Sequence, residues 1–373
     1  MIFSDKAKDL YDEIKSIEIR DSYVRPKLSS FGGITNGWEL ISDSWKTRWL
    51  ELCGADTEKL SDFEKLSAWF DAVRLMPDNA LKLIFCEETE AIFGEELGNT
   101  DPEGFWRHTA DLLNGKNDAV ADILRDNNET PMSFCKNNDS VVDNSNESFV
   151  DINQDIYALI SSGVPLDMGE WSGRIIDRLK MKKPPYELAA DIEDMEFIRG
   201  DYYHAGQVYK KIKEGASISG EEKAQLFFWL LADIFTKLDG NCLIHLNIGE
   251  NYGAAHALIS YLLMRGISPQ IKIGVTPRTS RMGARVCELC LLDPRRISLE
   301  LVVGMEDSPE KLSARFVELL SYYPADRLSF GGVMTDSVLC FAAHRYAKRV
   351  ICQALSEIAH ENTARAILTK LFM

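Results

Sequence analysis

CLIHLNIGENYGAAHALISYLLMRGISPQIKIGV, residues 242–275, decides the fold. It opens with one short apolar run, CLIHLN (242–247), closes with another, QIKIGV (270–275), and carries a helical pattern between them. Both runs are brief and bounded by turn residues, as strands buried on both faces are. The same alternation recurs along the chain. Strands are expected near 17–21 (IEIRD), 131–135 (PMSFC), 156–160 (IYALI), 187–191 (ELAAD), 297–303 (ISLELVV) and 329–335 (SFGGVMT), although ELAAD would also sit in a helix. The segments EEKAQLFFWLLADIFTKL (221–238) and SARFVELLSYY (313–323) repeat apolar residues at three-to-four spacing and predict amphipathic helices. Strands separated by helices in this way predict an α/β protein, a (β/α)8 TIM barrel.

The span 27–125 departs from a plain barrel. WELISDSWKTRWLELCG, LSDFEKLSAWFDAVRLM and NALKLIFCEETEAIFG all read as helices, with no good strand among them. An all-helical insertion after the first strand is therefore expected at 27–125, with the barrel formed by 1–26 and 126–373. It would stand at the C-terminal mouth, where βα loops build active sites. The polar run CKNNDSVVDNSNES (135–148) predicts a loop with no fold of its own.

The chain has 373 residues, 45% of them hydrophobic, and a net charge of −16. That balance argues against a nucleic-acid partner, whose phosphates call for a basic face. No apolar run is long enough to span a bilayer, and the charged N-terminus MIFSDKAKDLYDEIK does not read as a secretion signal. A cytoplasmic protein is expected. Its oligomeric state is left open, a homo-oligomer included. The eight cysteines sit mostly inside apolar patterns, as buried free thiols do. Cys287 and Cys290 form C-x-x-C, but no second cysteine pair lies nearby, so a structural role outweighs a zinc site.

Three segments carry a family resemblance. DSWKTRWLELCGADTEKLSDFEKLSAWFDAV, with NALKLIFCEETEAIFG behind it, resembles the helical insertion of uronate isomerases, (β/α)8 enzymes of the amidohydrolase superfamily. The family reads D-H-Y-K-W-R where this chain has Asp43, Ser44, Trp45, Lys46, Thr47 and Arg48. GASISGEEKAQLFFWLLADIFTKLDGNCLIHLNIGE is similar to a family helix and a strand ending Q-L-H-I-G; here the strand ends His245, Leu246, Asn247, Ile248, Gly249. GGVMTDSVLCFAAHRYAKRVIC resembles G-M-L-T-D-S-R-S-F followed by H-E-Y-F-R-R-I-L-C, keeping Thr335, Asp336 and Ser337, with Val338 where the family has Arg. The resemblance implies aldose–ketose isomerisation of a hexuronate of the glucuronate or galacturonate class, and a small sugar acid as ligand.

The resemblance also implies where chemistry would sit. The family's first strand ends D-Y-H-C-H, whose two imidazoles bind a divalent metal. In SIEIRDSYVRP (16–26) those positions hold Tyr23 and Arg25, and Asn247 replaces a third His. Of the metal-facing groups only Asp336 clearly remains. One carboxylate with a phenol, a guanidinium and an amide is a poor donor set for a divalent ion, so no metal and no cofactor are expected. Under a functional reading, Arg25 supplies the positive charge and grips a carboxylate, Tyr23 donates to a developing oxyanion, and Asp336 acts as base. Under the alternative, Arg25 pairs with Asp336 or Asp21 and fills an abandoned site, leaving a silent binding or structural relative. His245 and Asp191 are further acid/base candidates, each with a structural alternative as a core histidine or a helix cap. Asn247, Lys46 and Arg48 are candidates to meet substrate, although Lys and Arg on an amphipathic helix more often form a solvated face. DPRRIS (293–298) reads as a charged loop at the opposite end of the barrel.

Overall fold

The computed structural model describes residues 4–18, 34–93, 100–113, 119–127, 129–130, 150–162, 167–181, 184–304, 307–332 and 337–372. The chain divides into two compact units. One holds Met1–Ser148, Val303–Ser321 and Phe330–Met373; the other holds Phe149–Val302 and Tyr322–Ser329.

In the first unit, the described residues from 4 to 127 are helical and contain no strand. They form α1 (Asp5–Ile14), α2 (Gly37–Ile41), α3 (Ser44–Leu52), α4 (Asp62–Leu75), α5 (Ala80–Phe93), α6 (Pro102–Leu113) and α7 (Ala119–Asp126). Polar caps set their starts. The Asp43 carboxylate accepts from the Trp45 and Lys46 N–H groups at the head of α3, and Ser61 with Glu64 closes a capping box on α4. Their shared core is aromatic. Phe70 meets Phe85 and Phe105 edge-on, and Trp69 meets Phe85, all of them buried. Each such side chain contributes roughly 1.5–3 kcal/mol by leaving water.

The alternation of strands and helices begins with β1 (Val150–Asp151), α8 (Ile152–Ser162), α9 (Met168–Lys180), β2 (Tyr186–Asp191), α10 (Tyr202–Lys213) and α11 (Gly220–Lys237). It continues through β3 (Cys242–Asn247), α12 (Tyr252–Met264), β4 (Gln270–Val275), α13 (Arg285–Leu292), β5 (Ile297–Val303), α14 (Pro309–Tyr322) and β6 (Leu328–Gly332). Two helices, α15 (Ser337–Ile358) and α16 (Glu361–Phe372), close the chain. The six described strands form one sheet in the order β1-β2-β3-β4-β5-β6, and each pairing from β1 through β5 is parallel. Neighbours in sequence that are neighbours in the sheet need helical crossovers, and the intervening helices supply them.

Four expected strands stand as predicted or within one residue: β2, including the ambiguous ELAAD, with β3, β4 and β5. β6 covers the start of the expected 329–335 run, and 333–335 lie outside the described residues. So do 131–135 and 19–21; Ile17 and Glu18 lie in the turn after α1, where the Ile17 N–H donates to the Ile14 carbonyl. The expected strand at 156–160 is a correction, because IYALI lies inside α8. Ile152, Ile156 and Leu159 are buried while Tyr157 is 70% exposed, a helical spacing that a five-residue window conceals.

The parallel register gives the sheet two unlike faces. Leu188, Ala190, Ile244, Leu246, Ile271, Ile273, Leu299 and Leu301 alternate on one face and are all buried. On the other face one row reads Ala189, His245, Lys272, Ser298, and the next row toward the C-terminal ends reads Asp191, Asn247, Gly274, Glu300. A strand sends alternate residues to opposite faces, so the polar groups share one side by register alone.

Candidate functional site

The upper polar row ends in a carboxylate. Asp191 is the last residue of β2 and pairs in register with Asn247, the last of β3. The Asn247 amide donates to the Asp191 carboxylate over 2.9 Å and reaches Glu193 at 3.5 Å. From the β1 side, Asn153 clasps the Asp191 backbone twice. Its Oδ1 accepts the Asp191 N–H at 2.7 Å, and its Nδ2 donates to the Asp191 carbonyl at 2.8 Å. Asp191 in turn accepts the Glu193 N–H at 2.9 Å, which turns the chain so that Glu193 points back toward the site. Arg278, in the loop after β4, pairs with Glu193.

The turns are built for this convergence. Gly249, just past β3, has φ +50°, and a Cβ there would collide with the Glu193 side chain. Asn251 caps α12 with its Oδ1 on the Ala254 N–H, while its Nδ2 holds the carbonyls of Ile192, Glu193 and Met195. One side chain thus starts a helix and fixes the loop after β2. Partial desolvation raises the pKa of Asp191 from its ordinary value, against the lowering pull of the Asn247 hydrogen bond. Burial likewise raises Asp151 at the end of β1, and the neighbouring charge of Asp191 adds to it. A carboxylate whose pKa is raised is a stronger base than a free aspartate.

From Glu300, in the same row as Asp191 and Asn247, a buried polar chain runs down to His245 and Lys272 in the row below. His245 Nδ1 lies 2.9 Å from Glu300 Oε2, and Lys272 Nζ lies 3.4 Å from Glu300 Oε1. His245 and Glu300 are almost wholly buried. An isolated carboxylate there would be costly, and the imidazole and the ammonium offset that cost.

Of the residues singled out from the sequence, Asp191 and Asn247 come together at the strand ends, with His245 one pair below on the same face. Tyr23, Arg25 and Asp336 lie outside the described residues. Lys46 and Arg48 stand on α3 in the first unit. Arg48 is exposed, but Lys46 is fully buried, with its ammonium on the Ile41 carbonyl (2.7 Å), Asp43 (2.9 Å) and Glu88 (3.1 Å). Burial works against its charge, yet Glu88 and Asp43 together raise its pKa. Sequence reasoning missed Glu193, Arg278, Asn153 and Glu300. Glu300 had a readable mark: a lone acid inside the apolar run ISLELVV.

The divalent metal implied by the resemblance needs several lone-pair donors aimed at one point. Among the described residues no group of three or more His, Cys, Asp or Glu side chains is placed to hold an ion. At the rim Asn247 turns its N–H groups to the carboxylates, and its Oδ1 faces the Gly249 N–H. This described donor set does not fit a divalent ion, so no chemical step is routed through one. The described cysteines, Cys287 and Cys290 included, are free. No described helix is long and apolar enough to cross a membrane.

No family model matches the sequence, and no curated protein matches it. Solved structures do. A uronate isomerase from Thermotoga maritima aligns over 98% of this chain and 95% of its own, with 13% identity and a TM-score of 0.69. A glucuronate isomerase from Caulobacter crescentus aligns over 99% and 93%, with 15% identity and a TM-score of 0.65. A Lactobacillus casei protein named as a metal-dependent hydrolase aligns over 97% and 94%, with 10% identity and a TM-score of 0.57. At such identities the likeness speaks for architecture: this chain has the (β/α)8 TIM-barrel fold of the uronate isomerases, as its strand–helix alternation predicts.

Proposed function

We propose that this chain is a uronate isomerase-like protein that binds a hexuronate at the C-terminal ends of β1–β4 and moves a proton between its adjacent carbons without a metal. The observation that carries the reading is Asp191, a carboxyl of raised pKa held by Asn247 beside a cation, Arg278. Aldose–ketose isomerisation takes a proton from the carbon next to the carbonyl and returns it to the former carbonyl carbon, while a hydroxyl proton crosses between the two oxygens. No atom is gained and no net oxidation occurs. Asp191 would accept and return the carbon-bound proton, Asn247 would orient it, and Arg278 would leave Glu193 to grip the sugar-acid carboxylate in its two-pronged fashion. Tyr23, Arg25 and Asp336 enter this proposal from the resemblance alone, as oxyanion donor, carboxylate grip and second base. The protein would work in the cytoplasm, with its cysteines reduced.

A second reading has its own observation. Arg278 and Glu193 already satisfy each other. A relative that binds sugar acids or serves as a structural partner, and has lost turnover, would keep such a pair closed.

The test is deuterium wash-in from D2O into D-glucuronate and D-galacturonate, with chelator and with added zinc or manganese. Exchange in chelator that falls by about 10²–10⁴-fold in Asp191→Asn is the expected result. Exchange that needs added metal, or that survives Asp191→Asn, would sink the proposal. Saturable sugar-acid binding with no exchange would select the second reading.

A further inference from the structure

We propose that the opposite end of the sheet carries a second ligand site, for a small anion bearing a phosphoryl group. A cavity of about 230 Å³ opens at the N-terminal ends of β3, β4 and β5. Its polar lining is Gln270, Lys272, Arg295, Arg296, Ser298 and Arg327. Four cations around one small cavity stand out in a chain of net charge −16, whose overall field repels anions. The site therefore needs local charge of its own, and the charged loop 293–298 supplies half of it.

The partners of these cations point to an external ligand. Among the described residues no carboxylate pairs with Arg295, Arg296 or Arg327. The guanidiniums of Arg296 and Arg327 are steadied by neutral groups instead. Arg296 donates to the Ser268 carbonyl, and Arg327 donates to the Pro294 carbonyl and, at 2.8 Å, to that of Ile297. Such bonds fix a guanidinium without cancelling its charge, which leaves its other N–H groups in place for an oxyanion. Acidic side chains lie close by, Glu187 among them, in register with the cavity-lining Leu243. Glu300 draws Lys272 from inside the sheet at 3.4 Å, and the Asp293 carboxylate accepts the Arg295 backbone N–H at 3.2 Å. Neither reaches an arginine head. A phosphoryl group matches this arrangement better than a single carboxylate does, because it carries more charge and three oxygens for converging N–H donors. The Gln270 amide and Ser298 hydroxyl are neutral donors able to meet the rest of a small metabolite.

The site does not depend on the sugar-acid reading, because none of its residues belongs to the Asp191 rim. The full chain would be titrated calorimetrically at constant ionic strength with inorganic phosphate and with glycerol 3-phosphate. D-glucuronate would serve as competitor, and circular dichroism would verify the fold of each variant. Saturable binding is expected that weakens about tenfold or more in Arg295→Ala/Arg296→Ala, stays unchanged in Asp191→Asn, and is not displaced by D-glucuronate. The proposal is overturned by the absence of saturable binding, by equal affinity in the double variant, by loss in Asp191→Asn, or by displacement by D-glucuronate.

Discussion

Two of the buried charge clusters in this protein work differently. In the first unit Arg345 and Arg349 of α15 face Glu87 and Glu90 of α5. Arg345 meets Glu87 at 2.8 Å, Glu90 at 3.2 Å and Glu129 at 3.1 Å, and Arg349 meets Glu87 at 3.0 Å. Burial works against these cations, but the carboxylates hold them more firmly charged than usual. In the second unit a single carboxylate, Glu300, leans on one imidazole and one ammonium. The first cluster joins helices more than 250 residues apart in sequence. In the second, Glu300 shares the register row of Asn247 and Asp191, and His245 and Lys272 lie one row below. Buried charge thus works as a clamp in one region and as the floor of a polar face in the other.

Breaking the clamp should have the largest effect. Arg345→Met leaves Glu87 buried with Arg349 as its remaining partner and should lower unfolding free energy by about 3–5 kcal/mol, read from the denaturant midpoint. A variant within 1 kcal/mol of wild type would show, by about that margin, that the clamp is dispensable. Next comes Lys348, also on α15, buried with its ammonium on the Ile17 and Ile14 carbonyls at 2.8 and 3.3 Å. Burial lowers its pKa to about 7. Above that pH the native chain holds this amine neutral while the unfolded chain still binds the proton, so its contribution to stability rises with pH toward its ordinary value. The thiols of Cys242, Cys290 and Cys352, pushed up by burial to about 12, act in the opposite sense once unfolded thiols ionise. The difference between wild type and Lys348→Met isolates the lysine. It should move in favour of wild type by roughly 3 kcal/mol between pH 7 and pH 10, and a flat difference would remove Lys348 from the account.

The floor should be less costly to alter. Glu300→Gln keeps the shape and hydrogen-bonding capacity but drops the charge, and should cost about 1–3 kcal/mol. If it also abolishes proton exchange at unchanged folding, the buried chain positions the rim beside it; if exchange is untouched, it serves packing alone. The smallest effect is expected at a local feature outside both regions. Ser219 and Glu222 close a capping box on α11, and Ser219→Ala should cost about 1 kcal/mol by thermal unfolding.

The strands were legible because their cues are local: short apolar runs, turn residues at their ends, and helical spacing between. IYALI misled because five residues do not separate a buried strand from one face of α8. Lys46 shows the limit for side chains. Its own helix suggests a solvated face, and its burial depends on Glu88, a residue 42 positions away. Asp191 and Asn247 could be named from the ends of their strands, but their 2.9 Å contact follows from the β2–β3 register.

By itself the sequence determined the class of the fold and the polar ends of its strands, since periodicity and turn chemistry act between near neighbours. Only the tertiary structure decided which charges meet. His245 reached Glu300 across β4, Arg345 reached Glu87 between two helices, and three arginines lined a cavity with no acid paired to them among the described residues. Coulomb pairing acts through space, and pairing across the chain depends on the register and packing that folding sets.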